Sequence, residues 1–384
     1  MNNILIGISG GISAYKVPSL IRLLIKDDYN VKVIVTEDAL KFVTKETLEI
    51  ISGNRVYHKM FDNVSVTSPE HIELVKWADC LLIVPATYNT IGKLAGGIAN
   101  NLLSLVASAM DNNKLILAPS MNVNMWENKI LQSNLNKLKK FGVNIIEPES
   151  GFLACKDIGK GRLPDIEIIH ATVKRILNTE KRFGNVQYIV TAGGTEEDID
   201  KVRVISNRSS GRMGIEIAKQ LYFKGADVLI VHGNISVVIP IYLKSVYVKS
   251  AEMMLKVINK NIGNNTIIIM AAAISDFKIK NAGKEKFHKK ELKNIEFIEN
   301  IDVIKNIKRD NILKIVGFAL ENGMDRKSAI EKLKRKNIDT IILNDISSIG
   351  NEYTKIEIIK RKDNNIIEFE GTKQEIAKLI IDHI

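Results

Sequence analysis

The stretch NILIGISGGISAYKVPSLIRLLIK, Asn3–Lys26, decides the class of fold. Its apolar opening, Asn3–Ile8, predicts a buried strand. Small residues follow from Ser9 to Lys16, and the spacing after them predicts an amphipathic helix to about Lys26. In a strand–glycine turn–helix unit the backbone can approach a phosphate while the helix N-terminal amides face it. The spacing is neither G-x-G-x-x-G nor G-x-x-x-x-G-K-[ST], so it signals neither a dinucleotide nor a Walker-type site.

The same unit recurs through the first half. Asn30–Val35 ends in Thr36, Cys80–Val84 meets Pro85-Ala86-Thr87, and Lys114–Ala118 meets Pro119-Ser120-Met121-Asn122. Ser9, Thr36, Thr87 and Asn122 therefore all fall at C-terminal strand ends, where ligands of open α/β sheets collect. A helix is expected around Thr47–Ser52. Pro69 predicts another helix start, which puts His71 in a first turn. Val143–Ile146 leads into GFLACKDIGKGR, Gly151–Arg162, whose glycines and missing apolar period read as a mobile loop. That loop carries Cys155 among Lys156, Lys160 and Arg162, and neighbouring cations favour the thiolate. A helix from about Asp165 to Asn178 closes the half. The residues alone leave open a capping His71 and an inert surface Cys155.

A chain of 384 residues suggests two domains. Apolar residues at 45% and charged residues at 26% fit a soluble globular protein. The net charge of +11 reflects either a lysine-rich bias or attraction of anionic, phosphorylated small molecules. With no arginine-rich tract and 6% aromatics, nothing points to nucleic acid. Of the two cysteines, Cys80 lies in an apolar run and reads as a buried hydrophobe; the pair makes no disulfide framework, so a cytoplasmic location is expected. No apolar run approaches the roughly 18 residues of a membrane span, and no signal-peptide layout opens the chain.

The polar segment Asn178–Asn185 sets the expected boundary, giving domains 1–180 and 181–384. Gln187–Thr191 begins a second α/β series. Ile205–Gly214 clusters Gly, Ser and Arg ahead of a helix, another phosphate-friendly edge. Asp227–Val231 reads as a further strand. Thr266–Met270 ends in Ala271–Phe277, where Asp276 could hold a metal or a ribose hydroxyl, or cap a segment. Lys278–Lys293 reads as a solvated loop. Strand Lys314–Val316 runs into Gly317-Phe318-Ala319, and a helix is expected over Met324–Lys336. Thr340–Leu343 is another strand. Lys355–Lys360 and Asn365–Phe369 read as an antiparallel pair before a last helix, Lys373–His383.

Gly7–Lys16, His71-Ile-Glu-Leu, Pro119–Asn122 and Ala154-Cys155 with Gly159–Arg162 resemble the homo-oligomeric flavin-containing cysteine decarboxylases. The resemblance implies an α/β, flavodoxin-like or Rossmann-like domain holding FMN at Ser9, Gly10, Gly11, Thr36, Ala86 and Thr87. It implies decarboxylation of 4′-phosphopantothenoylcysteine, in which flavin oxidation of the thiol-bearing carbon supplies the electron sink a plain carboxylate lacks. His71 would assist that half, Asn122 would bind the substrate carboxylate, and Cys155 would protonate the enethiolate. Two positions depart from the family pattern: Ser120 replaces the usual alanine, and Lys156 the glycine after the cysteine.

Thr191–Thr195, Ile205–Gly214, Ala271–Asp276, Gly317–Ala319 and Asn344-Asp345 resemble the phosphopantothenate–cysteine ligase domain. That family implies a Rossmann-like parallel sheet with a late antiparallel hairpin, CTP as co-substrate and Mg2+. The carboxylate of 4′-phosphopantothenate attacks the α-phosphate, pyrophosphate leaves, and the amine of L-cysteine displaces CMP from the acyl-cytidylate. Asp276, Lys286, Ile301, Asp302, Val303, Ile304, Phe318, Lys332 and Lys336 fall at CTP-contacting positions, and Asn207 and Arg203 at positions used with the acyl-cytidylate. Mg2+ would be held through the CTP phosphates, its protein ligands unassigned. Asp200-Lys201-Val202-Arg203 lacks the family's proline, and Lys286-Phe287-His288-Lys289 keeps only the first and last lysines of Lys-Ile-Lys-Lys. Over its whole length the chain resembles the bacterial bifunctional coenzyme A biosynthesis family. This implies a homo-oligomer, with decarboxylase trimers joined by ligase-domain dimers into a dodecamer. A decarboxylase acting on a peptide's C-terminal cysteine would not need the second half. A non-catalytic binding protein would not need His71, Asn122, Cys155, Asn207 and Lys286 together.

Overall fold

The computed structural model describes residues 2–60, 69–152, 157–283, 285–288, 292, 295–361 and 366–384. The chain divides into two compact units, Met1–Leu177 and Asn178–Ile384.

In the first unit, β1 (Asn3–Ile8), β2 (Asn30–Val35), β3 (Val56–Tyr57), β4 (Cys80–Ala86), β5 (Leu115–Pro119) and β6 (Asn144–Ile145) pair in parallel, in the order β3-β2-β1-β4-β5-β6. The connecting helices are α1 (Val17–Lys26), α2 (Lys45–Ser52), α3 (Glu70–Trp77), α4 (Tyr88–Gly96), α5 (Leu102–Ala109), α6 (Val123–Glu127), α7 (Lys129–Lys140) and α8 (Ile166–Asn178). Every residue of β4 is buried, as a strand covered on both faces must be. Helix α1 buries Val17, Leu20, Ile21 and Leu24, spaced i, i+3, i+4, i+7. Each such side chain contributes about 1.5–3 kcal/mol. Strand order reverses between β1 and β4, which leaves a crevice at their C-terminal ends.

Gly151–Arg162 departs from the loop expectation. β7 (Glu149–Phe152) and β8 (Ile158–Arg162) form an antiparallel pair. The glycines serve close approach: a Cβ at Gly159 would lie 2.6 Å from Val123 Cγ2, and one at Gly161 2.3 Å from the Met121 carbonyl oxygen. A strand pressed against backbone needs small residues, so no apolar alternation was there to read. Ala154, Cys155 and Lys156 lie outside the described residues, as does Lys289.

The second unit holds β9 (Gln187–Ala192), β10 (Glu196–Asp198), β11 (Val204–Ser206), β12 (Asp227–His232), β13 (Lys244–Tyr247), β14 (Thr266–Met270), β15 (Phe277–Ile279), β16 (Phe297–Glu299), β17 (Ile312–Glu321), β18 (Thr340–Asp345), β19 (Tyr353–Lys360) and β20 (Ile366–Thr372). Its main sheet runs β13-β12-β9-β14-β17-β18-β19-β20, parallel up to β18 and antiparallel over the last two pairings. The helices are α9 (Arg212–Phe223), α10 (Ala251–Asn261), α11 (Val303–Asn306), α12 (Arg326–Arg335) and α13 (Lys373–His383). The late hairpin is present as expected. β15 pairs with β16, so the loop expected to begin at Lys278 starts later. β17 extends well beyond Lys314–Val316 at both ends. The short pair β10–β11 was not anticipated, because three residues carry too little period to register.

Candidate active sites at two sheet edges

A cavity of about 1130 Å3 opens at the C-terminal ends of β1, β2, β4 and β5, lined among others by Ser9, Gly10, Gly11, Thr36, Thr87 and Asn122. Ser9 is buried, and its hydroxyl donates to the Pro85 carbonyl at 2.7 Å and accepts from the Thr87 amide at 3.1 Å. Thr87 caps α4 and hydrogen-bonds Ser9 Oγ at 3.2 Å, tying the two central strand ends together. A Cβ at Gly10 would stand 2.4 Å from Asp38 Cβ, whereas Gly11 has extended backbone and space for a side chain. Only Gly10 is required by packing. Among the described residues the Thr36 hydroxyl is buried without a hydrogen-bond partner, on a residue that lines the cavity. A buried donor of that kind is costly unless a ligand accepts from it. The hydroxyls, the close-approach glycine and the orphaned Thr36 together fit FMN, a ring system with a phosphate tail.

Asn122 caps α6 through the Asn124 amide at 2.8 Å and donates to Asp157 Oδ2 at 3.0 Å. Ser120, the departure from the family pattern, is taken up by Ser13 Oγ at 2.9 Å. Ala86 ends β4, buried, and does not line the cavity. His71 lies in the first turn of α3 and does not line it either. Sequence reasoning missed Asp38, Tyr15 and Asn101 in the lining. Asp38 and Tyr15 follow strand ends by a few residues and Asn101 caps α5, signals too weak to use. Cys80 is the inert thiol expected, pushed up to about 12 by burial.

The second cavity, about 500 Å3, opens at the corresponding edge of the second sheet. It gathers Asn207, Asp276, Ile301, Asp302, Val303, Ile304, Phe318, Lys332 and Lys336. The Lys332 ammonium donates to the Phe318 carbonyl at 2.9 Å, and burial, then the neighbouring Lys336, pushes its pKa down. Lys336 pairs with Asp302 at 3.2 Å, and Asp302 caps α11. Asn207 donates to the Ile274 carbonyl at 3.0 Å.

Arg203 and Lys286 do not line this cavity; Arg203 instead reaches Asp200 and the carbonyl of Phe287, the residue after Lys286. Asp200, 1% exposed, accepts from the amides of Val202 and Arg203 at 2.8 Å, from Phe287 at 3.1 Å, and from Arg203 Nη1 at 2.6 Å. Burial pushes its carboxyl up, but these donors outweigh it and bring the pKa down to about 2. The carboxylate thus fixes the turn that the family's proline would otherwise stiffen, and Lys201 is left to reach Glu285 at 3.7 Å. Arg212, Asn344, Ser348 and Lys373 also line the cavity and were not singled out as site residues. Among the described residues, no cluster of three His, Cys, Asp or Glu side chains could hold a metal ion. No helix among them is long and apolar enough to cross a membrane.

A family model described as Flavoprotein matches residues 1–178, and one described as DNA/pantothenate metabolism flavoprotein C-terminal domain matches 184–384. The chain is 38% identical over 384 residues to the coenzyme A biosynthesis bifunctional protein CoaBC of Borreliella burgdorferi, covering 99% of this chain and 98% of that one. It is 38% identical over 348 residues to that of Haemophilus influenzae, covering 90% and 87%. A solved structure described as the FMN binding protein AtHal3 is 33% identical, covers 45% of this chain and 95% of its own, and aligns with a TM-score of 0.40.

Proposed function

The chain belongs to the coenzyme A biosynthesis bifunctional protein family, and on that footing we propose that it catalyses two consecutive reactions. The unit 181–384 ligates 4′-phosphopantothenate to L-cysteine with CTP. The unit 1–180 then decarboxylates 4′-phosphopantothenoylcysteine to 4′-phosphopantetheine with FMN. The observation that carries the ligase half is the convergence of Asp276, Ile301–Ile304, Phe318, Lys332 and Lys336 on one cavity.

In the ligase unit, Asp276 and the 301–304 segment hold the nucleoside. Lys332 and Lys336 offset phosphate charge as pyrophosphate departs, in a partly dry site where such charges act strongly. Mg2+, held through the CTP phosphates, would offset their charge. Asn207, steadied by Ile274, orients the acyl group. Arg203, held by Asp200, and Lys286, beside the Phe287 amide that Asp200 also binds, act on the acyl-cytidylate.

In the decarboxylase unit, Ser9, Gly10, Gly11, Thr36 and Thr87 would hold FMN, with Ala86 behind them as the buried end of β4. When bound, FMN supplies the electron sink for loss of carbon dioxide. The Thr36 hydroxyl would hydrogen-bond FMN. Asn122 Nδ2 turns from Asp157 to the substrate carboxylate. His71 assists the oxidative half and Cys155 delivers the final proton. Ile12, Tyr15 and Phe152 line the cavity yet stay exposed, which supports a site completed by a second copy of the chain in a homo-oligomer. The enzyme works in the reducing cytoplasm.

The test is a coupled assay on the full chain with CTP, Mg2+, cysteine and 4′-phosphopantothenate. The expected result is pyrophosphate release that requires CTP, followed by stoichiometric carbon dioxide from a yellow, flavin-bearing protein. A colourless protein that FMN cannot reconstitute and that leaves 4′-phosphopantothenoylcysteine untouched would overturn the decarboxylase half. Absence of CTP-dependent pyrophosphate would overturn the ligase half.

A further inference from the structure

Two stretches of chain form the nucleoside side of the second cavity: the turn after β14, with Ala271–Ile274 and Asp276, and the segment Ile301–Ile304. The turn is anchored to the body of the unit. Ser275 is buried, its amide donates to the buried Thr195 Oγ1 at 3.0 Å, and its hydroxyl donates to the Phe277 carbonyl at 2.9 Å. The segment Ile301–Ile304 has less support of its own. It runs into α11, which at four residues is too short to hold its shape unaided.

Asn300 joins the two. It follows β16, and its amide donates to the Asp276 carbonyl at 2.8 Å, one step beyond the Phe277–Glu299 pairing of β15 with β16. Its side chain then reaches both ways: Nδ2 donates to the Ser275 carbonyl at 3.0 Å, and Oδ1 accepts from the Ile301 amide at 2.9 Å. A reversed amide would set oxygen against oxygen and N–H against N–H, so the partners fix its orientation. Asn300 does not itself line the cavity. The far end of the segment has a second tether. Arg309 Nη2 donates to the Ile304 carbonyl at 3.4 Å and to the Lys336 carbonyl at 3.1 Å, so one guanidinium joins α11 to the end of α12.

We propose that Asn300, backed by Arg309, is a positioning residue for the nucleoside of the co-substrate: it locks the segment Ile301–Ile304 against the anchored turn and so sets the space for base and ribose. This rests on reading the cavity as the nucleotide site of the ligase. The phosphates lie outside its control, since Lys332 is held by Phe318 of β17 and not by the segment. A nucleoside wall acts equally on the bound substrate and on the transition state, so its loss raises KM for CTP and spares kcat.

The test is calorimetric titration of the full-chain protein and of Asn300→Ala with cytidine, CTP and inorganic pyrophosphate, alongside the kinetics of CTP-dependent pyrophosphate release. Asn300→Ala keeps the backbone bond to Asp276 and loses both side-chain bonds. Cytidine and CTP are expected to bind about tenfold more weakly, the scale of a lost hydrogen bond, with KM for CTP raised by the same factor. Pyrophosphate affinity and kcat stay within about twofold; a merely structural residue would lower these as well. Unchanged cytidine affinity, or equal weakening of all three ligands, would overturn the proposal. If Asn300→Ala does not fold, Arg309→Met on an exposed side chain is expected to weaken cytidine about threefold and leave pyrophosphate alone, and no loss on cytidine would overturn the proposal too. A wild-type protein that binds pyrophosphate but neither CTP nor cytidine would overturn the nucleotide reading and the proposal with it, whereas a wild type that binds all three beside an unaffected variant overturns the proposal alone.

Discussion

The two units build their sites on the same parallel strand order and furnish them oppositely. In both, the first strand is flanked by the second on one side and by a later strand on the other, and the cavity opens where the order reverses. In the first unit the deep polar groups are neutral: Ser9, Ser13, Thr90 and the Thr36 hydroxyl. In the second, charged groups join the buried hydroxyls of Ser348 and Thr354: Lys373 is buried, Lys332 is half-buried, and Lys336 is paired with Asp302. Neutral hydroxyls suit a ring whose electron count changes, because they do not bind one redox state by charge alone. Buried ammonium groups suit a polyphosphate leaving group, whose charge grows as the bond breaks. Backbone topology supplies the crevice, and a handful of side chains chooses the chemistry.

The sharpest way to break this comparison is to disable one site and read the other. Cys155→Ser is expected to lower the yield of reduced 4′-phosphopantetheine about 10³-fold, the scale of a lost general acid, while carbon dioxide and CTP-dependent pyrophosphate are still released. Lys332→Met is expected to do the reverse, slowing pyrophosphate release about 10²-fold with preformed 4′-phosphopantothenoylcysteine still decarboxylated. Product analysis of both variants checks the pair, and parallel losses would mean the sites are not separate. Gly10→Ala probes the neutral edge. Its Cβ must displace Asp38, at a cost of about 1–3 kcal/mol, so denaturant unfolding should show lower stability and the purified protein should lose flavin; full flavin occupancy would remove Gly10 from that site.

The smallest effect concerns pH and the second unit. The folded pKa of Asp200 is depressed, so the stability it contributes is complete above its ordinary value near 3.8 and is lost as pH falls through about 2. The stability gap between wild type and Asp200→Asn should therefore close between about pH 4 and pH 2. Urea unfolding at stepped pH measures it, and a gap that stays constant would show that the carboxylate is not linked to folding.

Strand ends were legible because apolar runs stop at them. Ser9, Thr36, Thr87 and Asn122 could be placed on one edge by counting, and the structure lines one cavity with all four. The β7–β8 pair was not legible, since its glycines answer to Met121 and Val123, residues about forty positions away. His71 and Arg203 show the other limit. Each was named from its local motif, yet neither lines the cavity of its own unit, because a motif fixes residue type and not direction.

By itself, the sequence determined which segments are strands and helices, how they alternate, and that glycines and hydroxyls punctuate the strand ends, because burial on two faces and helix periodicity leave local marks. Only the tertiary structure decided that Asp200 would gather Arg203 and Phe287 around one carboxylate, that Thr36 would keep a hydroxyl unspent, and that Lys373 would come to lie in a cavity lined by residues from position 207 onward. Those outcomes depend on the free energy of charges and donors removed from water, and that is set by neighbours from distant parts of the chain.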